Sequence, residues 1–154
     1  MRRKWLALIA VLMLVVTMSV AASSSAAPST YVHGVFSTAP LYVQDGTTGS
    51  FLTASSGNAI ASWTDNPLSS GNQGFFNAIV YVGPTKYEFR LVSLGGTTPD
   101  QIDGKFHIYK NNVLVASVAG SVYGLSQPIG NVFKFYDSAY NWHVSGYITN
   151  RLDY

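Results

Sequence analysis

Apolar and polar residues alternate with the two-residue period of β-strands through most of the chain after residue 28. The alternation is clearest over residues 86–94, where Tyr87, Phe89 and Leu91 share an apolar face and the charged residues between them share the other. Residues 75–82 form a continuous apolar run, which is typical of a central strand. No segment of this region has a sustained 3.6-residue period, so the pattern predicts an all-β domain.

Residues with turn chemistry, mainly Gly, Pro, Asn and Asp, divide this region into nine or ten predicted strands. The predicted strands are 31–37, 41–44, 50–54, 60–64, 75–82, 86–94, 105–109, 113–118, 132–136 and 142–149. Residues 45–49 predict a five-residue hairpin loop, and residues 110–112 predict a tight hairpin because asparagine tolerates positive φ. Residues 95–100 are predicted as a loop and residues 100–104 as a turn. Many short strands of this kind predict a single antiparallel β-sandwich, with a small β-barrel as the alternative.

The first 28 residues have a different pattern. A basic start, Met1–Lys4, precedes the apolar segment Trp5–Val20 and the small, polar segment Ala21–Pro28, which together predict a secretory signal peptide. Cleavage is expected after Ala26, since a cut one residue later would leave proline beside the broken bond. Cleavage after Ala22 and an uncleaved signal anchor are the alternatives. The sequence therefore predicts a signal peptide over 1–26 and a secreted domain over 27–154.

Removal of this segment changes the charge of the protein. Residues 27–154 hold six basic and seven acidic side chains, so their net charge is −1. No cluster of lysine and arginine remains to attract nucleic acid, which we therefore exclude as a partner. The chain has no cysteine, so its stability must come from burial, for which eight Phe and ten Tyr supply the apolar area.

The sequence shows no constellation typical of an enzyme. The three histidines, His33, His107 and His143, lack the spacing of a metal motif, and Glu88 is the only glutamate. No serine lies in a Gly-x-Ser-x-Gly motif. We therefore expect a non-catalytic protein that needs neither a cofactor nor a metal.

Two short segments combine aromatic rings with hydrogen-bonding side chains. The candidate ligand-binding residues in them are Trp63, Asp65, Asn66, Tyr140, Asn141, Trp142 and His143. Sugars are recognised by this combination, because an apolar pyranose face stacks on a ring while amides and carboxylates meet the hydroxyls. The alternative for both tryptophans is a place in the core.

The pattern thus favours a secreted binding module for a polysaccharide or a cell-envelope surface. Residues 133–144 resemble the aromatic, lipid-headgroup-binding segment of actinoporin-like and aegerolysin-like β-sandwiches, over that segment alone. The resemblance implies no role for an individual residue, but it keeps a membrane-active protein as an alternative. A self-associating matrix or surface component is the other alternative, because the domain carries few charges and its edge strands could pair.

Overall fold

The computed structural model describes residues 29–37, 42–65 and 72–153, and the predicted signal peptide lies outside them. Eleven strands are found in these ranges. They are β1 Ser29–Ser37, β2 Tyr42–Asp45, β3 Ser50–Thr53, β4 Ser56–Asp65, β5 Gly74–Val82, β6 Thr85–Thr98, β7 Gln101–Lys110, β8 Val113–Tyr123, β9 Val132–Asp137, β10 His143–Tyr147 and β11 Leu152–Asp153.

All of these strands belong to one antiparallel sheet, which confirms the all-β prediction. The order across the sheet is β11-β1-β4-β5-β6-β7-β8-β9-β10-β2-β3. From β4 to β10 the order follows the chain, so neighbours there are successive in sequence. Within the described ranges no helix is long and apolar enough to cross a membrane.

The hairpin predicted at residues 110–112 is confirmed. Asn111 and Asn112 have φ of 50° and 65°, and they form the turn between β7 and β8. The Lys86 amide donates to Asn111 Oδ1 over 2.9 Å, so the turn is also tied to the start of β6. The hairpin loop predicted after β2 is confirmed as well, with Gly49 at φ 72° before β3.

The loop predicted over residues 95–100 is confined to Pro99 and Asp100, and the turn predicted over residues 100–104 is wrong. Strand β6 continues to Thr98 and β7 begins at Gln101, with irregular pairing at Leu91/Ser93 and at Leu94/Gly96. Bulges of this kind absorb an extra residue without ending the strand. A Cβ on Gly104 would lie 2.3 Å from the Ser93 carbonyl oxygen, so this glycine permits close strand approach instead of a turn.

The core lies between two parts of the sheet that face each other. Phe76 on β5 and Phe133 on β9 have ring centroids 6.0 Å apart, although three strands separate β5 from β9. Phe135 on β9 contacts Phe106 on β7 at 4.6 Å and Phe89 on β6 at 5.5 Å. These five rings are almost completely buried. Each such pair contributes about 0.5–1.5 kcal/mol beyond the burial of its area, so β5–β7 are held firmly against β9.

A buried carboxylate closes one end of this core. Asp45, at the end of β2, is 1% exposed. Its Oδ2 accepts hydrogen bonds from the Tyr87 hydroxyl at 2.9 Å and from Lys110 Nζ at 2.7 Å. Its Oδ1 accepts from the backbone amide of Thr47 at 2.9 Å and from the Thr47 hydroxyl at 2.5 Å. Burial alone would raise the pKa of Asp45, but these four donors outweigh it and hold the pKa well below its usual range.

Replacing Asp45 by asparagine is expected to destabilise the protein by about 2 kcal/mol or more, because the charge-assisted hydrogen bonds from Lys110 and Tyr87 are lost from a buried position. The free energy of unfolding, measured by urea denaturation at neutral pH, tests this.

Glu88→Gln is the matched control for this substitution. Glu88 is also buried, but the side chain of its partner Arg90 is 48% exposed, so the loss should be smaller, at about 1 kcal/mol. Equal losses in the two variants would show that the hydrogen bonds of Asp45 contribute no more to the free energy of unfolding than the Glu88–Arg90 ion pair.

Candidate ligand-binding site

Four side chains lie in register across the outer face of β9, β10, β2 and β3, on the side opposite the core. Tyr136 pairs with His143, His143 pairs with Gln44, and Gln44 pairs with Phe51. The ring centroids of Tyr136 and His143 are 4.3 Å apart, and those of His143 and Phe51 are 5.9 Å apart. The three rings thus form a strip of successive ring contacts that runs across the strands.

Tyr140 extends this strip from the turn between β9 and β10, with its ring centroid 5.5 Å from that of Tyr136. We call Phe51, His143, Tyr136 and Tyr140 the aromatic row. Its two ends are open to solvent, since Phe51 is 64% and Tyr140 is 68% exposed, whereas His143 in the middle is 4% exposed. The row therefore offers ring surface at two separate positions.

The backbone holds Tyr140 in an uncommon conformation. Its φ of 57° lies in the left-handed region, where a bulky aromatic residue is a genuine outlier. The turn is fixed by buried Asp137, whose Oδ1 accepts from the Trp142 amide at 2.7 Å and whose Oδ2 accepts from the Ala139 amide at 3.3 Å. The Tyr140 amide donates to the Asp137 carbonyl at 3.0 Å. An exposed ring kept on a strained backbone is a feature that clusters at functional sites.

The two predicted tryptophans do not present their rings to solvent. Trp142 is 5% and Trp63 is 2% exposed, so their burial agrees with the core alternative and not with a stacking surface. Trp142 packs edge-to-face on Phe89, with centroids 6.4 Å apart. It also lies on the β2–β3 turn, where a Cβ on Gly46 would be 2.4 Å from Trp142 Nε1. Trp142 thereby supports the turns next to Phe51 and Tyr140 from beneath.

The remaining predicted residues have different positions. Asn141 is exposed beside Tyr140 in the β9–β10 turn. Asn66 and the side chain of Asp65 lie outside the described part of the chain. Trp63 is on β4 and is buried, so it adds no exposed ring to the predicted site.

His143 lies on the outer face, as the alternation predicted, but its neighbours cover it. Its Nδ1 is 2.9 Å from the Phe135 carbonyl oxygen, which can only accept, so Nδ1 carries the proton. Burial lowers the pKa of His143; the hydrogen bond to Phe135 opposes this effect and the charge of Lys134 adds to it. The ring is therefore neutral at pH 7 and acts as an uncharged member of the row.

A shallow groove of about 590 Å³ continues the outer face beyond the row. Ser121 on its floor pairs directly with Tyr136, so groove and row adjoin. Most of the residues that line the groove are small, namely Ser93, Gly95, Gly104, Ser117, Ala119, Gly120, Ser121 and Ser138, and Leu94, Asp103, Lys105 and Val118 complete the lining. Asp103 Oδ1 accepts from Gln101 Nε2 and from the Ser121 hydroxyl, both at 2.5 Å. The site thus combines ring surface with hydroxyls and a carboxylate.

The described residues contain no group of three or more His, Cys, Asp or Glu side chains that could hold a metal ion. The chain matches no family model, and neither a curated protein nor a solved structure is significantly similar to it. The interpretation of the site therefore rests on its own geometry.

Sequence reasoning missed Phe51 and Gln44. The signal was present, because both residues occupy polar-phase positions of the strands that flank the predicted hairpin at 45–49. The alternation of apolar and polar residues shows on which face of a strand a side chain lies, but it does not show which strands pair with that strand. The pairing of β2 with β10, which brings Gln44 and Phe51 to His143, is set by tertiary structure.

Acidification from about pH 7 to pH 5 is expected to destabilise the protein through His143. Because the folded-state pKa is lowered from 6.5, the unfolded chain takes up the proton first as the pH falls. The stability due to the neutral ring is complete above the unfolded-state pKa and is lost as the pH falls through the folded-state pKa. Urea denaturation at a series of pH values measures this dependence.

His143→Gln should flatten this pH dependence. His107→Gln, which removes an imidazole from the outer face of β7, is the matched control. The assignment to His143 is wrong if the two variants depend on pH in the same way.

Proposed function

We propose that this protein is a secreted, non-catalytic binding module for carbohydrate, as a polysaccharide or as part of a cell-envelope surface. The proposal rests on the aromatic row, whose ends Phe51 and Tyr140 are exposed. It rests also on the adjoining groove, whose lining includes several serines and Asp103. Sugar rings stack their apolar faces on aromatic rings, and their hydroxyls need hydrogen-bonding partners beside that surface.

The charges around the site support a polyhydroxylated ligand. Asp103 already accepts from Gln101 and Ser121, but an ionised carboxylate has acceptor positions for further hydroxyls. Lys105 and Lys134 are exposed on the same outer face, and neither forms an ion pair within the described ranges. The face is therefore polar without a strong field of either sign.

Secretion belongs to the same proposal. It is supported by the basic, apolar and small-residue segments of residues 1–26. The absence of cysteine is compatible with an exported protein whose stability comes from an aromatic core. For the fold, we infer a β-sandwich whose two layers are parts of one continuous sheet, which the ring contacts between β5–β7 and β9 support.

A membrane surface is the second candidate ligand. Phe51 and Tyr140 are the two most exposed of the aromatic side chains within residues 42–64 and 72–151, and aromatic rings favour the interface between lipid and water. The carbohydrate proposal is preferred because the groove next to these rings holds several serines and Asp103, which offer hydrogen-bonding partners to sugar hydroxyls.

Incubation of the mature protein with insoluble polysaccharides, cell-wall preparations and neutral or anionic liposomes tests the proposal. We expect sedimentation with at least one polysaccharide or cell-wall sample. Phe51→Ala and Tyr140→Asn should each weaken this binding about fivefold or more, which corresponds to the loss of roughly 1 kcal/mol of ring stacking.

Tyr140 is replaced by asparagine because asparagine tolerates the left-handed backbone conformation, so the turn should keep its fold. Tyr81→Ala removes a 40% exposed tyrosine from β5, away from the aromatic row, and is the matched control. Retention on liposomes alone would favour the membrane candidate. No retention on any sample, or equal loss in all three variants, contradicts the proposed site.

A further inference from the structure

We propose that the site binds internal segments of an extended glycan chain, laid across the strands from Phe51 to the far end of the groove. This inference rests on the proposed function and specifies its ligand. It contrasts with recognition of a single sugar or a chain end, which requires a pocket that encloses the terminal unit.

The first support is the direction of the binding face. The register leads from Phe51 through Gln44, His143 and Tyr136 to Ser121, and then through Asp103 to Gly96. These positions occupy seven neighbouring strands, β3, β2, β10, β9, β8, β7 and β6. At a strand spacing of about 4.8 Å, the path is roughly 29 Å long when it is followed along the curved surface of the sheet, and it crosses the strands. A single sugar ring would cover only a small part of it.

The second support is that both ends of this path are open. Phe51 lies on β3, the last strand in the order of the sheet, and is 64% exposed. At the other end, a Cβ built on Gly96 meets no atom within 4 Å. No described side chain therefore closes the path in the way that a pocket for a chain end would be closed.

The third support is the change of chemistry along the path. Rings dominate from Phe51 to Tyr140, whereas the groove is lined mostly by small residues and includes the serines Ser93, Ser117 and Ser138. Such a face is suited to a repeating ligand that offers both an apolar ring face and hydroxyls in every unit. A long chain contacts both parts of the path at once, so its affinity should exceed that of a short chain which reaches only one.

The test uses the polysaccharide that retains the mature protein in the sedimentation experiment. Partial hydrolysis yields a series from disaccharide to octasaccharide, and isothermal titration calorimetry gives the Kd for each length. We expect the Kd to fall at least tenfold along the series and then level off. Reduction converts the sugar at the reducing end to its alditol and so destroys the ring at that end. It should leave the Kd of the longest member unchanged.

A groove variant separates the two parts of the path. Ala119→Trp places a bulky ring on an exposed position of the groove floor, so it should remove the advantage of long chains while short chains still bind at the aromatic row. Leu114→Trp adds the same ring to an exposed position of β8 outside the groove and is the matched control.

The outcomes distinguish this inference from the proposed function. Failure of every polysaccharide to retain the protein overturns the proposed function. Retention with a Kd independent of chain length, loss of binding on reduction of the chain end, or no effect of Ala119→Trp on long chains overturns the internal-segment inference and leaves carbohydrate binding in place.

Discussion

The Asp45 carboxylate is the interaction on which the geometry of the binding face depends. It lies at the end of β2, and its partners Lys110 and Tyr87 belong to β7 and β6. The contact therefore crosses the core and fixes β2 against the middle of the sheet. A charge without water is costly, so the carboxylate is stable there only while all its donors stay in place. Since β2 carries Gln44 and positions Phe51 on β3, the same contact fixes one half of the aromatic row.

Trp142 connects this fixed end to the other half of the row. Its ring covers Gly46 in the turn after Asp45, and its amide donates to Asp137, which shapes the turn that carries Tyr140. One buried residue thus touches both turns that hold the exposed rings, the first through its ring and the second through its backbone amide. The sequence identified Trp142 as part of the site, but its contribution in the structure is to position the rings that face solvent.

The alternation of apolar and polar residues and the turn residues predicted the strands correctly where the structure depends on local chemistry. The β7–β8 hairpin follows from two asparagines that accept positive φ, and the faces of β6 and β10 follow from alternation. The failure at residues 95–104 has a local cause as well, because glycines that suggest turns also permit bulges and close strands. The burial of Trp142 was one of the alternatives that the sequence offered, whereas the burial of His143 was beyond reach, since it depends on strands that are distant in sequence. The row itself required the pairing of β2 with β10.

The strand order also has a consequence for how the face is assembled. Strands β4 to β10 follow one another as consecutive hairpins, whereas β2 must pair with β10 from far along the chain. Contacts between distant segments carry a larger loop-closure entropy, and chains gain them late in folding. We therefore expect the meander from β4 to β10 to fold from local contacts and the β2–β3 hairpin to dock on it afterwards. On this expectation, Phe51 joins the other rings only when the hairpin docks.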